Sequence, residues 1–309
     1  MIARPEQLLV ALIGEAAIGY PAALFGAIGH PVTWIGGAIA ALERGWNRGS
    51  APRRRTMGVA LIIVVAGGAA AAGLLVERIA GDHAIGITAI IVLATTGLAQ
   101  RSLDDHVRAV ARPLRRGDLV AARAAVAHIV GRDTATLDQR GVALAATESL
   151  AESFCDGVVA PAFWFLVAGL PGLLACKAIN TADSLIGHRD DRYRWFGWAA
   201  ARLDDMANWL PARLAGLGIA IAGGGGFAVM WRDARHHASP NGGWPEAAMA
   251  GAIGRRLGGP VSYDGAPAPR AWLGDGPPPD AADLDRALAI YRRACLLLWL
   301  SVGAIAWLR

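Results

Sequence analysis

The chain has 309 residues, 54% of them hydrophobic and only 18% charged, against about 25% charged in an ordinary soluble domain. Its apolar residues are gathered into long runs and its three cysteines are scattered, which excludes a cytosolic enzyme of usual composition, a disordered chain and a disulfide framework. The net charge of +5 is almost all arginine, Lys177 being the one lysine. Arginine-rich loops beside apolar runs fit the cytoplasmic face of a bilayer better than nucleic acid, because no basic stripe is interleaved with aromatics.

A helix crossing a bilayer needs about 20 mostly apolar residues. Four segments, 8–29, 57–76, 84–100 and 294–308, read as spans, the first interrupted by Glu15 and Pro21. Glu15 and the thin charged start argue against a cleaved signal peptide there. Two further segments, 157–175 with Pro161 and Pro171, and 210–231 with Arg213 and four consecutive glycines, admit a broken span, a re-entrant hairpin or a helix buried in the bundle. The expected fold is all-α: a polytopic helical membrane bundle, one domain over 1–309, with amphipathic helices in the cytoplasm. Arg44 to Arg55 and the eight arginines between Arg101 and Asp156 place those loops inside, with Glu77–His83 outside. The topology favoured has neither doubtful segment crossing and every charged stretch after residue 156 cytoplasmic. Residues 101–127, broken by Pro113 and Gly117, and 134–153 are expected to be helical, and 258–280 to be a loop.

The informative residues lie where the apolar pattern fails. Glu148 and Glu152 are four apart and share a helix face that Asp156 extends. Such a stripe is either a wet surface or a site for a hard cation, which takes oxygen ligands. Lys177, Asn180, Thr181 and Ser184 line one face at helical spacing, with Asp183 slightly off it. Arg202, Asp204, Asp205, Asn208 and Arg213 follow, joining oxygen donors for Mg²⁺ to guanidinium groups for a phosphate. The rival reading is an interfacial helix whose Trp195, Phe196, Trp198 and Trp209 form an aromatic belt. Ser239-Pro-Asn241-Gly-Gly is a turn, and Pro245 then opens a helix with Glu246 in its first turn. The adjacent His236 and His237 point to different faces, a poor geometry for zinc. No Walker A, dinucleotide-binding, nucleophile-elbow or zincin motif is present.

Taken together, these clusters resemble the membrane-bound CobD/CbiB family of cobalamin biosynthesis, the adenosylcobinamide-phosphate synthases. The resemblance is carried by His30-Pro-Val-Thr-Trp-Ile-Gly36, Pro113-Leu-Arg-Arg-Gly-Asp-Leu119, Ile129-Val-Gly-Arg-Asp-Thr134, Glu148-Ser-Leu-Ala-Glu152 and Asp156-Gly-Val-Val-Ala-Pro161. It continues through Lys177-Ala-Ile-Asn-Thr-Ala-Asp-Ser184, Ala201-Arg-Leu-Asp-Asp-Met-Ala-Asn208, Pro211-Ala-Arg213, Ser239-Pro-Asn241 and Leu257-Gly-Gly259. Ser153 and Leu185 depart from the usual pattern, where Asn follows Ala-Glu and Met follows Asp-Ser.

The resemblance implies a reaction in the bacterial inner membrane. The free propionate of adenosylcobyric acid, a corrinoid, is joined to (R)-1-amino-2-propanol phosphate, or to free aminopropanol, with ATP and Mg²⁺ as driver. A carboxylate is a poor acyl electrophile, so ATP would activate it by phosphoryl transfer, which depends on positioning and charge neutralisation. On that reading Asp156, Asp183, Asp204 and Asp205 hold Mg²⁺. Lys177, Arg202 and Arg213, with Arg132-Asp133, Asn180, Thr181, Ser184, Asn208, Ser239 and Asn241, bind phosphate and substrate, and Glu152 takes the proton from the incoming amine. Lys177, Asp204 and Asp205 join Glu152 as the residues expected to act in catalysis. The bilayer and other enzymes of the pathway are the expected partners, and nucleic acid is not. A transporter would show inverted repeats and polar groups at mid-span, and a non-catalytic relative would show degraded clusters; the intact clusters favour the enzyme.

Overall fold

The computed structural model describes residues 4–263 and 265–308. In chain order the helices are α1 (Arg4–Ile18), α2 (Ala22–Ile28), α3 (Pro31–Trp46), α4 (Ala51–Ala80), α5 (Ala84–Thr95), α6 (Gln100–Arg115) and α7 (Leu119–Val126). There follow α8 (Gln139–Phe154), a π-helical turn at Cys155–Val159, α9 (Ala160–Ile186), α10 (Trp198–Ala207), α11 (Trp209–Gly223), α12 (Phe227–Asp233), α13 (Gly243–Ile253) and α14 (Ala281–Trp307). Four short strands, β1 (Leu257–Gly258), β2 (Val261–Tyr263), β3 (Ala266–Ala268) and β4 (Trp272–Leu273), pair antiparallel as β1 with β4 and β2 with β3, inside the segment expected to be a plain loop.

Among the described residues five helical stretches are long and apolar enough to cross a bilayer: Ala23–Trp46, Ala51–Ala80, Ala84–Arg115, Gln139–Ile186 and Ala281–Trp307. The chain is an all-α, multi-pass membrane protein. Ile63, Val64, Leu75, Ile79, Ile85 and Val92 are exposed along α4 and α5, as expected of a surface solvated by lipid.

One expectation needs correction. The run 8–29 is not one span: α1 ends at Ile18 and α2 begins only at Ala22. At about 1.5 Å per residue α1 is too short to cross alone. The segment 210–231, left open between a broken span, a re-entrant hairpin and a buried helix, is divided: α11 has 15 residues, and Gly224 and Gly226, both with φ in the left-handed region, end it before α12. The other open segment, 157–175, falls inside Gln139–Ile186, a stretch long and apolar enough to cross a bilayer, so its length and composition do not favour the topology in which neither segment crosses.

The fold has two compact units. One comprises Met1–Ala99, Ala160–Asn208 and Val302–Arg309. Its core joins α3, α4, α9 and α10 through Ile39, Leu61, Ile62, Val65, Ile179, Ile186, Ala200 and Phe196, the last fully buried and so no part of an aromatic belt. The His30-Pro-Val-Thr motif is a helix start. The His30 ring accepts a hydrogen bond from Val32 N, Thr33 Oγ1 accepts one from His30 N, and Pro31 occupies the first turn, where its missing N–H costs nothing. Within α9 the chain kinks at Gly169 (φ +70°), and the Leu170 N–H released by the kink donates to Glu77 Oε1 at 2.7 Å.

The other unit comprises Gln100–Val159 and Trp209–Ser301. Small residues on α13, among them Ala247, Ala248 and Ala250, are wholly buried and let neighbouring helices approach closely. Trp231 meets Trp244 edge-on at 5.0 Å and Phe154 meets Tyr291 at 5.7 Å. Cys155 and Cys295 are buried here, as Cys176 is in the first unit.

Candidate functional site

In the first unit, α9 and α10 bring together Asn180, Asp183, Asp204 and Asn208. The α9–α10 pair is tied by the Trp164 indole, which donates to the Ala207 carbonyl at 3.1 Å. Asp204 lies among these groups with its carboxyl pushed up to about 7, first by burial and then by the charge of Asp183. Hydrogen bonds from Asn208 and Asn180 act in the opposite direction and support the ionised form. Asn208 Nδ2 donates to Asp204 Oδ2 at 3.0 Å, while Asn208 Oδ1 is buried with no hydrogen-bond partner.

Of the four aspartates expected to hold Mg²⁺, only Asp183 and Asp204 face one another. Asp205 pairs instead with Arg202 at 2.9 Å, one turn away, and Asp156 sits on the π-helical turn of the other unit. Among the described residues no group of three or more His, Cys, Asp or Glu is placed to hold a metal. Mg²⁺ needs no such cage, because it is commonly bound by one or two carboxylates completed by substrate phosphates and water. Two facing carboxylates with an orphaned amide oxygen beside them fit that pattern.

The hydroxyl and lysine face is used differently from expectation. Thr181 Oγ1 donates back to the Lys177 carbonyl at 2.6 Å within its own helix, Ser184 is exposed, and Lys177 lies near His30. Asp183, read as slightly off the face, is the residue that meets α10.

The second unit contains a buried charge network. Glu148, 2% exposed, is ion-paired with Arg132 and accepts the Gly258 N–H. Arg270 reaches Glu148 Oε2 and Glu246 Oε2, each at 3.5 Å, and donates to His237 Nε2 at 3.0 Å. The Ser239 backbone lies against the other ring nitrogen, its N at 3.1 Å and its carbonyl oxygen at 3.3 Å from Nδ1. Burial holds His237 below its usual value, and the Arg270 charge adds to this against the opposing pull of Glu152 and Glu148. Burial drives Glu246, 1% exposed, well above the usual carboxylate range, helped by Glu148 and Glu152.

Arg132 is therefore committed to Glu148. Its neighbour Asp133 pins the β2–β3 hairpin, accepting from Ser262 Oγ at 2.8 Å and Gly265 N at 2.9 Å. Ser239 Oγ accepts the N–H groups of Asn241 and Gly242, both at 3.2 Å, and so shapes the turn before α13. Arg213 lies between two indoles, 4.3 Å from the Trp209 ring and 4.6 Å from that of Trp244, and reaches Asn241 Oδ1 at 3.4 Å. Stacking fixes the guanidinium plane, as lysine could not.

Sequence reading missed Arg270, and it did not place Glu246 or His237 in the site. Arg270 comes from the Gly- and Pro-rich segment, more than 100 residues from Glu148, and no spacing rule connects them. The usable signal was Glu246, an acidic residue inside an otherwise small and apolar helix.

A family profile described as CobD/Cbib protein matches residues 8–291. The chain belongs to that family. It is 53% identical over 305 residues to a protein of Rhodobacter capsulatus named cobalamin biosynthesis protein CobD, covering 97% of this chain and 96% of that one. Proteins of the same name from Brucella suis and Rhizobium meliloti are 46% and 44% identical, covering 92% and 97% of this chain and 91% and 96% of theirs. No solved structure matches the chain.

Proposed function

We propose that the chain acts in cobalamin biosynthesis and forms the amide between the propionate of adenosylcobyric acid and (R)-1-amino-2-propanol phosphate, or the free aminoalcohol. The observation that carries this reading is family membership along nearly the whole chain, with relatives named for cobalamin biosynthesis, one of them 53% identical.

Asp183 and Asp204, with Asn208 Oδ1, would hold Mg²⁺. Bound Mg-ATP would supply the activation that a carboxylate lacks as an acyl electrophile. Asn180 and Asn208 orient the Asp204 carboxylate. Asp205 holds the exposed Arg202 at 2.9 Å, which suits Arg202 to a phosphate. Lys177 is a second cation on the same α9 face as Asn180. Arg213, stacked and preset, is suited to a planar bidentate contact with carboxylate or phosphate. Glu152 is exposed and faces the buried His237, which suits it to accept the proton that the ammonium of the aminoalcohol must lose. The arginine-rich loops would face the cytoplasm from a bacterial inner membrane.

The test is an assay of the purified full chain in detergent with adenosylcobyric acid, Mg-ATP and either amine. Amide product with one ADP per turnover supports the reading and identifies the amine. Product without ADP keeps the ligation and removes the phosphoryl-transfer step. Folded protein with no product from either amine refutes the enzyme.

A further inference from the structure

In the second unit, α6 and α14 enclose a cleft of about 480 Å³ lined by Arg108, Ala111, Arg112, Arg115, Asp285, Leu288 and Arg292. The three α6 arginines recur at i, i+4 and i+7 and therefore share one helix face. Part of this charge is balanced. Arg115 donates to both oxygens of Asp285 at 2.9 Å, and Asp104 pairs with Arg108 at 3.0 Å and Arg292 at 2.7 Å. Four guanidinium groups against two carboxylates leave two positive charges, and Arg112 has no ion-pair partner among the described residues.

What lies below the cleft points to the occupant. Beyond Arg293, α14 turns apolar, and Leu296 and Leu300, at i+4 and i+8 from Arg292, are 51% and 61% exposed. The cleft thus opens directly onto a leucine stripe on the same helix face. The helix is held in this register by the Tyr291 hydroxyl and the Trp299 indole, each donating to Gln100 at 2.8 Å. A soluble phosphate compound would use the arginines and leave the leucines bare, whereas a diacyl phospholipid satisfies both. Basic pockets beside membrane helices are suited to anionic headgroups in this way.

We propose that this cleft is a binding site for an anionic phospholipid, its headgroup phosphate among Arg108, Arg112 and Arg292 and its acyl chains along Leu296 and Leu300. The site is independent of the ligase reading and does not use its residues.

The test is native mass spectrometry of the full chain in micelles titrated with short-chain phosphatidylglycerol, phosphatidylcholine or glycerol phosphate. One saturable phosphatidylglycerol is expected, bound at least fivefold more tightly than phosphatidylcholine. R112Q should weaken it about fivefold, as one arginine near a membrane surface is worth, and R140Q, the same change at an exposed residue elsewhere, should not. L296Q, also at an exposed position, should weaken phosphatidylglycerol but not glycerol phosphate. Equal retention of the two lipids, or full affinity in both R112Q and L296Q, overturns the proposal. Glycerol phosphate binding as tightly as phosphatidylglycerol overturns it too, in favour of a soluble phosphate ligand.

Discussion

Asn208 gives its amide N–H to Asp204 and keeps its own carbonyl oxygen buried without a partner. A buried acceptor left unmade costs on the order of 1–3 kcal/mol, so native structures seldom retain one without a use. Here the orphan stands beside two carboxylates that repel each other, and a cation would relieve both faults at once. N208A should therefore raise the Mg²⁺ concentration needed for half-maximal activity about tenfold with little change in melting temperature. Activity titrated against Mg²⁺ at fixed ATP decides it: an unchanged midpoint removes Asn208 from the cation site.

D204N should separate stability from function. Removing one of two facing, half-buried carboxylates should stabilise the metal-free protein at pH 8 by about 1–2 kcal/mol, and activity should disappear. Thermal melts with and without Mg²⁺ provide the check. A variant that is both less stable and still active would contradict the arrangement.

The Glu148–Arg132–Arg270–Glu246 network predicts unequal arginines. R270M leaves two buried carboxylates short of a cation and should cost about 3–5 kcal/mol. R202M breaks a half-exposed pair one turn long and should cost less than about 1 kcal/mol, though it should impair turnover. Denaturant midpoints measured side by side give the contrast, and equal losses would mean that the network is not what holds this unit.

His237 should make the fold acid-sensitive. Its folded value is depressed, so its neutral form is the one the fold favours. That contribution is complete above about pH 6.5 and is lost as pH falls through the unfolded value towards the folded one. Its facing groups are Glu148, Glu152, Glu246 and Arg270, and the raised Glu246 acts in the opposite sense, losing stability as pH rises. The difference between wild type and H237Q should thus shrink by about 1 kcal/mol from pH 8 to pH 5. A difference independent of pH would show that the ring titrates normally.

Gly169 and Glu77 should depend on each other. G169A forces a side chain into a left-handed position against the Glu77 carboxylate and should cost about 1–3 kcal/mol. E77A leaves the Leu170 N–H unpaired and should cost a similar amount. The double variant should lose less than the sum, measured as a double-mutant cycle; simple additivity would refute the link.

The spans at Ala51–Ala80 and Ala281–Trp307 were legible in the sequence because lipid demands an unbroken apolar length, which composition alone records. The break at Gly19–Pro21 was harder, since a proline that kinks a helix and one that ends it look alike until neighbours are known. Asp204 and Asn208 were visible through their spacing. Their true partner, Asp183, was read as off the face, because the face is set by where α10 docks and not by α9 alone. Arg270 was invisible for a related reason: a buried ion pair is a property of two distant segments, and nothing near Arg270 shows what it neutralises.

The burial of Cys155, Cys176 and Cys295 gives the wild-type chain a practical use as its own blank. Membrane-impermeant maleimides in intact cells should leave it unlabelled, so single cysteines can be introduced without first removing the native three. Cysteine at Asp82, in the α4–α5 turn, and at Asp191, between α9 and α10, would report on opposite or identical compartments by which of them reacts from outside. Two labelling reactions would then fix on which side of the membrane each of these turns lies.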